Sequence, residues 1–352
     1  MTTRTVALIA LAGLFALATP PVAGQAITQI IDATGDGQGN PLTGARGLTL
    51  DRWGNVYVAG LESDNVFKIA PDGTITEVMD ETGDGLGQPL SEPVSLATDA
   101  AGGVYVAGQD SDNVFRIDPD GTVAVVLDAA GDGKGHPLDW PQCVAVGASG
   151  DVFVNAFASG EVFRVGTDGT VEVVFTSLFP MKLAVAPSGT LFVSDFFDSA
   201  YVIPPGEPWQ HLLTFSGDGL GNPYFVGSGV AVGRAGTYLV GAQSNNAFRV
   251  ERGGEIVQII DGSGDGQGNT LETFFGLYHP AEVIVDRDEN AYVAGVVSHN
   301  VFRIAPDGTV TEIIDASGDG QGNTLMYPEG LAAGRGRVYV AGWGSHNVFR
   351  VE

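Results

Sequence analysis

The chain has 352 residues, with 16 Lys and Arg against 42 Asp and Glu and a formal net charge of -26 at pH 7. That balance argues against nucleic acid and anionic membrane surfaces, because phosphate binding needs clustered cations. Cations and proteins with basic patches are better partners. Cys143 is the sole cysteine, so no intramolecular disulfide can form, and Val144 and Val146 beside it mark a buried, inert thiol.

The first 25 residues read as a signal peptide. Arg4 supplies a positive n-region, Val6 to Ala18 is an uncharged apolar run too short to span a membrane, and Pro20 and Pro21 end it. Cleavage is expected between Ala23 and Ala26. The mature part, 26–352, is expected to be one domain, secreted or periplasmic, with no later integral membrane segment.

From Ile27 the chain repeats itself. Ile75 to Thr122 follows Ile27 to Thr74 nearly phrase for phrase, with a period of roughly 48 residues, in the range of β-propeller blades. Each unit offers four short strands separated by Gly, Asn and Asp turns. In the first unit these are a, Gly47–Asp51; b, Asn55–Gly60; c, Asn65–Ala70; and d, Thr74–Asp80. Candidates for strand b begin near Asn55, Gly103, Asp151, Thr190, Thr237, Asn290 and Arg337, which predicts an all-β, seven-bladed propeller. The last unit stops after strand c, and the mature N-terminus opens with an orphan strand d, Ile27 to Asp32. The N-terminal strand is therefore expected to complete the last blade and close the ring, leaving no sheet edge exposed. A monomer is expected.

The phrase "PVSLATDAAGGVYVAGQDSDNVFRIDPDGT" resembles the NHL-repeat family of β-propellers, and the "SGDGQGN" connections are similar to those in many of its repeats. One departure is regular. The Asp that usually closes strand b is Gly at Gly60, Gly108, Gly295 and Gly342, whereas blade 4 keeps Asp195. The resemblance implies the fold and leaves the activity open, since such propellers include an amidating lyase, the similar lactonase and senescence-marker group, and binding scaffolds.

Strands alternate in direction, so the b–c and d–a connections share one face. That face carries the "GDG" loops. The loops from Asp32, Asp80, Asp261 and Asp315, with a weaker copy at Thr214, place oxygen-bearing side chains at positions 1, 3, 5 and 9 with Gly at 6, close to the spacing of a calcium loop; the matching loop from Asp128 departs from it, with Ala130 at position 3. The candidate ligands are Asp32, Asp36, Asp80, Asp84, Asp261, Asp265, Asp315 and Asp319. Two readings stay open: calcium sites, or Gly-rich turns in which Asp caps backbone N–H groups. The basic residue on strand c (Lys68, Arg116, Arg164, Arg249, Arg303, Arg350) is expected to form a structural ion pair.

The same face carries the breaks in symmetry. His299 and His346 stand in b–c turns where Asp64 and Asp112 stand in blades 1 and 2. Blade 4 lacks the GDG loop and shows Phe196 and Phe197. Blade 6 has a longer d–a loop containing Phe274, Phe275, Tyr278, His279 and Glu282, and Trp343 lies on the b–c turn of blade 7. Phe196, Phe197, Tyr278, His279, His299, Trp343 and His346 are the candidate ligand-binding residues, around a funnel between blades 6, 7 and 4.

No serine-hydrolase order, phosphate loop or zinc signature appears. The leading reading is an exported scaffold that binds a protein or a small molecule, with calcium as candidate stabiliser. The alternative is a metal-dependent lyase or lactone hydrolase at the axis. That needs polar groups at the inner ends of strand a, where Gly47, Val94, Gln142, Met181, Gly229, Glu282 and Gly330 are expected; Glu282, Glu329 and Gln142 are the polar exceptions.

Overall fold

The computed structural model describes residues 25–197, 199–273 and 281–352. Residues 1–24 of the proposed signal peptide, and Phe274, Phe275, Tyr278 and His279, lie outside them. The described chain forms seven four-stranded antiparallel sheets. Blade 1 is Ala45–Leu50 (β2), Val56–Gly60 (β3), Asn65–Ile69 (β4) and Ile75–Met79 (β5), and the other blades repeat that order. Strand b reads VYVAG and is buried along its whole length in blade 1, because each blade is covered by a neighbour on both sides.

The ring closes at its termini. Ile27–Ile31 (β1) pairs antiparallel with Asn347–Val351 (β28), setting Ile27 opposite Val351 and Ile31 opposite Val348. Gln29 Oε1 accepts from Asn347 Nδ2 at 3.0 Å. The seventh blade thus takes three strands from the C-terminus and one from the N-terminus.

Packing follows the repeat. The aromatic residue of strand c is fully buried in six blades, for example at Phe67, Phe115 and Phe349. GDG loops fold down over these rings at Phe67, Phe248, Phe302 and Phe349. A Cβ on Gly35, at φ +62, would lie 1.9 Å from the Asn40 carbonyl oxygen and 2.9 Å from the Phe67 ring. Leu42, Leu90, Leu138, Leu271 and Leu325 leave these loops to plug the space beneath them. On the opposite face, Asp51 accepts from the backbone N–H of Trp53 and Asn55, both at 2.9 Å, and from Asn55 Nδ2 at 2.6 Å. Four of the six strand c cations pair within their own blades: Arg116 with Asp99 (3.1 Å), Arg164 with Asp151 (2.9 Å), Arg249 with Glu251 (2.7 Å) and Arg350 with Glu352 (3.1 Å).

Candidate functional site at the channel mouth

The b–c turn explains itself in three residues. In blade 1, Ser63 Oγ accepts the Thr43 N–H at 3.1 Å and donates to Asn65 Oδ1, while Asn65 Nδ2 donates to the Pro41 carbonyl at 3.0 Å. Ser and Asn thus tie the turn to its own d–a loop. The residue between them sits at positive φ and reaches the next blade. Asp64 accepts the Glu92 N–H at 2.7 Å, Asp112 that of Trp140 at 2.8 Å, and Asn245 that of Thr273 at 2.9 Å. His299 and His346 do the same through Nδ1, to Tyr327 at 3.0 Å and Gly44 at 2.9 Å. A ring nitrogen that accepts an N–H bond carries no proton, so these two contacts use the Nε2–H form of the imidazole. Burial pushes the His299 pKa below 6.5.

The GDG carboxylates make paired Asx turns. Asp32 Oδ1 accepts from the Thr34 N–H and hydroxyl at 2.8 and 2.6 Å. Asp36 accepts from the Gln38 N–H at 2.8 Å and from Asn40 Nδ2 at 2.9 Å. The loops at Asp80 and Asp84, Asp261 and Asp265, and Asp315 and Asp319 repeat the pattern at their Asp positions. Among the described residues, no three His, Cys, Asp or Glu side chains gather as a metal site.

The aromatic candidates fall into two groups. Trp343 stands 6.0 Å from Tyr327, whose ring meets His299 edge-on at 4.6 Å. Phe196 and Phe197 instead continue a run from blade 3, through Phe179, Phe157 and Trp140, with neighbouring centroids 4.9–5.7 Å apart. No ring contact among the described residues joins the two groups.

The sequence reading put the inner residues in mixed register, and the structure corrects it. Strand a carries a bulge near its start, for example between Pro93 and Ser95 and between Pro141 and Cys143, and such a bulge re-aims successive side chains. Two polar layers result. Arg46, Gln142 and Glu329 belong to one, and Lys182 and Glu282 to the next. Arg46 Nε lies 3.3 Å from Glu329 Oε2 across the join of blades 1 and 7, both side chains almost wholly buried. Lys182 Nζ, from blade 4, lies 3.6 Å from Glu282 Oε2 of blade 6. It reaches past blade 5, whose inner strand offers only Ser228 and Gly229 there. Between these pairs, Gln142 Nε2 donates to Gln109 Oε1 at 2.5 Å and Gln109 Nε2 to Glu92 at 2.9 Å. Burial raises the Glu92 pKa, helped by Asp110 and Asp64 and opposed by Arg46. Arg46, Lys182, Glu92 and Gln109 were missed by the sequence reading. Two cations on innermost strands of so acidic a chain were the available signal.

Charges taken from water cost several kcal/mol each unless they are paired. A plain propeller core would carry apolar residues here, as Val94 and Met181 do. The mouth is thus a polar floor of opposed charges beneath an aromatic rim.

No family model matches this sequence, and no curated protein matches it either. Among solved structures it is similar to a streptogramin B lyase (TM-score 0.71, 13% identity, covering 93% of this chain and 97% of that one). It is similar to virginiamycin B lyase from Staphylococcus aureus (TM-score 0.70, 14% identity, 93% and 99%). It is also similar to a gluconolactonase from Xanthomonas campestris (TM-score 0.54, 14% identity, 94% and 90%). At these identities the likeness is one of fold, and the chain is a seven-bladed β-propeller of the architecture that these lyases and lactonases share.

Proposed function

We propose that this chain is an exported binding propeller that takes a small zwitterionic ligand at the channel mouth on the b–c/d–a face. The observation that carries the reading is the pair of opposite-charge contacts, Arg46–Glu329 and Lys182–Glu282, held at one end of the axis. A ligand carboxylate would replace Glu282 at Lys182, and a ligand ammonium would meet the freed Glu282. Lys182–Glu282 is the pair to open, being the longer and the more exposed of the two. Trp343, Tyr327 and His299 on one side, and Phe197 on the other, would enclose the ligand's apolar part.

The competing reading is a metal-dependent lyase or lactone hydrolase. It requires several carboxylate or imidazole ligands to converge, and Glu329 and Glu282 each face a cation instead. Calorimetry with a panel of free amino acids and dipeptides tests the proposal. Binding should appear for zwitterions, weaken at least tenfold in Lys182→Met, and vanish for the N-acetylated, C-amidated counterparts. No heat with any zwitterion, together with turnover of a lactone that a chelator abolishes, would overturn it.

A further inference from the structure

The repeat supplies its own control for exposed side chains. In blade 1 the d–a loop carries Ala33, Gln38 and Thr43. The matching positions of blade 5 hold Phe215, Leu220 and Phe225, which are 63%, 86% and 36% exposed. Blade 4 adds Leu178, 72% exposed, and Phe197, 52% exposed. Among the described residues, the other large exposed apolar side chains stand singly or on the far face: Leu86 and Met326 occupy the Leu220 and Phe225 positions of blades 2 and 7, one to a blade, and Trp53 and Trp209 lie off this face. Drift would scatter such residues around the ring. Here five fall on two adjacent blades. Buried packing does not call for them, since Tyr224 already fills the plug position of the same loop. Exposed apolar side chains clustered on neighbouring blades mark a place of contact.

The surroundings of this patch select the partner. Lys134 is the single Lys or Arg among the described residues of the d–a loops and b–c turns, whereas Asp and Glu run through them. Asp218 sits between Phe215 and Leu220 in sequence, and blades 3 and 6 flank the patch with Asp139, Asp261, Asp265 and Glu272. A second copy presenting the same face would bring like charges together, and an anionic lipid surface or nucleic acid would be repelled. We infer that the b–c/d–a face of blades 4 and 5 docks a cationic polypeptide segment, whose apolar side chains seat on Phe197, Phe215, Leu220 and Phe225 while its Lys or Arg residues meet the flanking carboxylates. The surface goes beyond the axial ligand site: the two share Phe197 at their border, but the peptide contacts do not involve Lys182 or Glu282.

The test uses the full chain and three labelled 14-residue peptides, followed by fluorescence anisotropy at low and physiological salt: alternating Lys and Leu, alternating Lys and Ser, and alternating Glu and Leu. The Lys/Leu peptide should bind at micromolar concentration, at least tenfold tighter than Lys/Ser, and Glu/Leu should not bind. The triple variant Phe215→Ala, Leu220→Gln, Phe225→Thr installs residues that blade 1 already uses, so it should melt like the parent and lose at least tenfold in affinity. Lys182→Met should bind the peptide unchanged, which separates this surface from the axial site. Equal affinity for Lys/Ser and Lys/Leu, or an undiminished affinity in the triple variant, overturns the inference. So does the absence of Lys/Leu binding, adsorption to anionic vesicles, or self-association that the triple variant abolishes.

Discussion

Replacing His299 with Asn, the residue that blade 5 uses at the same position, should make the ring less sensitive to mild acid. His299 Nδ1 accepts the Tyr327 N–H at 3.0 Å and joins blade 6 to blade 7. Protonation turns that acceptor into a donor, so two donors then face each other. An unsatisfied donor costs about 1–3 kcal/mol, and partial exposure of the ring sets the figure near the lower bound, about 1 kcal/mol. The sign follows from the depressed pKa. Burial holds the folded-state value below 6.5, so folding favours the neutral ring. The latch contributes fully above the unfolded pKa of about 6.5 and is lost as pH falls below it towards the folded value. Asn does not titrate and, as Asn245 shows, makes the same bond at 2.9 Å. Scanning calorimetry between pH 7.5 and 5.0 should show the parent losing about 2 °C more than His299→Asn, at roughly 2 °C per kcal/mol for a domain of this size. The other histidines and the carboxylates are common to both proteins and cancel in the comparison. Parallel curves would refute the latch as a titrating contact.

Deleting Gln25 to Asp32 should leave β28 as an open edge and bare the site of Ile31, lowering stability by at least about 3 kcal/mol; an unchanged melting temperature would sink the closure argument. The Asx turns are complete in themselves, so millimolar calcium or a chelator should leave the melting curve where it is. A rise with calcium that disappears in Asp36→Asn, Asp84→Asn, Asp265→Asn, Asp319→Asn would instead establish the loops as cation sites.

The blade count, the strand order and the closing strand were legible because each rests on local chemistry that recurs: Gly and Asp in turns, β-branched and aromatic residues in strands, and two termini with matching deficits. Strand a begins two residues earlier than expected, at Ala45, and other ends differ by one, since Asp51, Asn55 and Asp80 serve turns and not the ladder. The latch was half legible. Asp64, Asp112 and the two histidines were seen to share a position, but their partners lie in the next blade, 28 residues on for Asp64, Asp112 and His299. No local pattern points there. The channel mouth was least legible, because a bulge on strand a puts two successive residues near the axis. Arg46 and Glu329 meet only because the last blade returns beside the first.

The glycine that replaces Asp at the end of strand b has a cause in the turn that follows it, and this yields a sharper test of the repeat. A Cβ on Gly108 would lie 2.3 Å from Ser111 Oγ and 2.7 Å from Asn113 Oδ1. Those atoms are not free to retreat. Ser111 Oγ accepts the Ser91 N–H at 3.0 Å and bonds Asn113 Oδ1 at 2.8 Å, and Asn113 Nδ2 holds the Pro89 carbonyl at 2.8 Å. Gly60, Gly241, Gly295 and Gly342 meet the same pair of atoms at similar distances. The two blades that carry a side chain here, at Ala156 and Asp195, are the two whose turns lack the Ser-x-Asn pair. Glycine and the Ser–Asn interlock are thus one device. Gly108→Ala should cost about 2–4 kcal/mol, since the methyl group must displace hydrogen bonds that anchor a d–a loop. Ser111→Ala alone should cost about 1–2 kcal/mol. The double variant should fall well short of the sum, because the second change removes an atom that the first must push aside. Denaturant unfolding of the four proteins measures the coupling. Strict additivity would show that the glycine answers to something other than this turn.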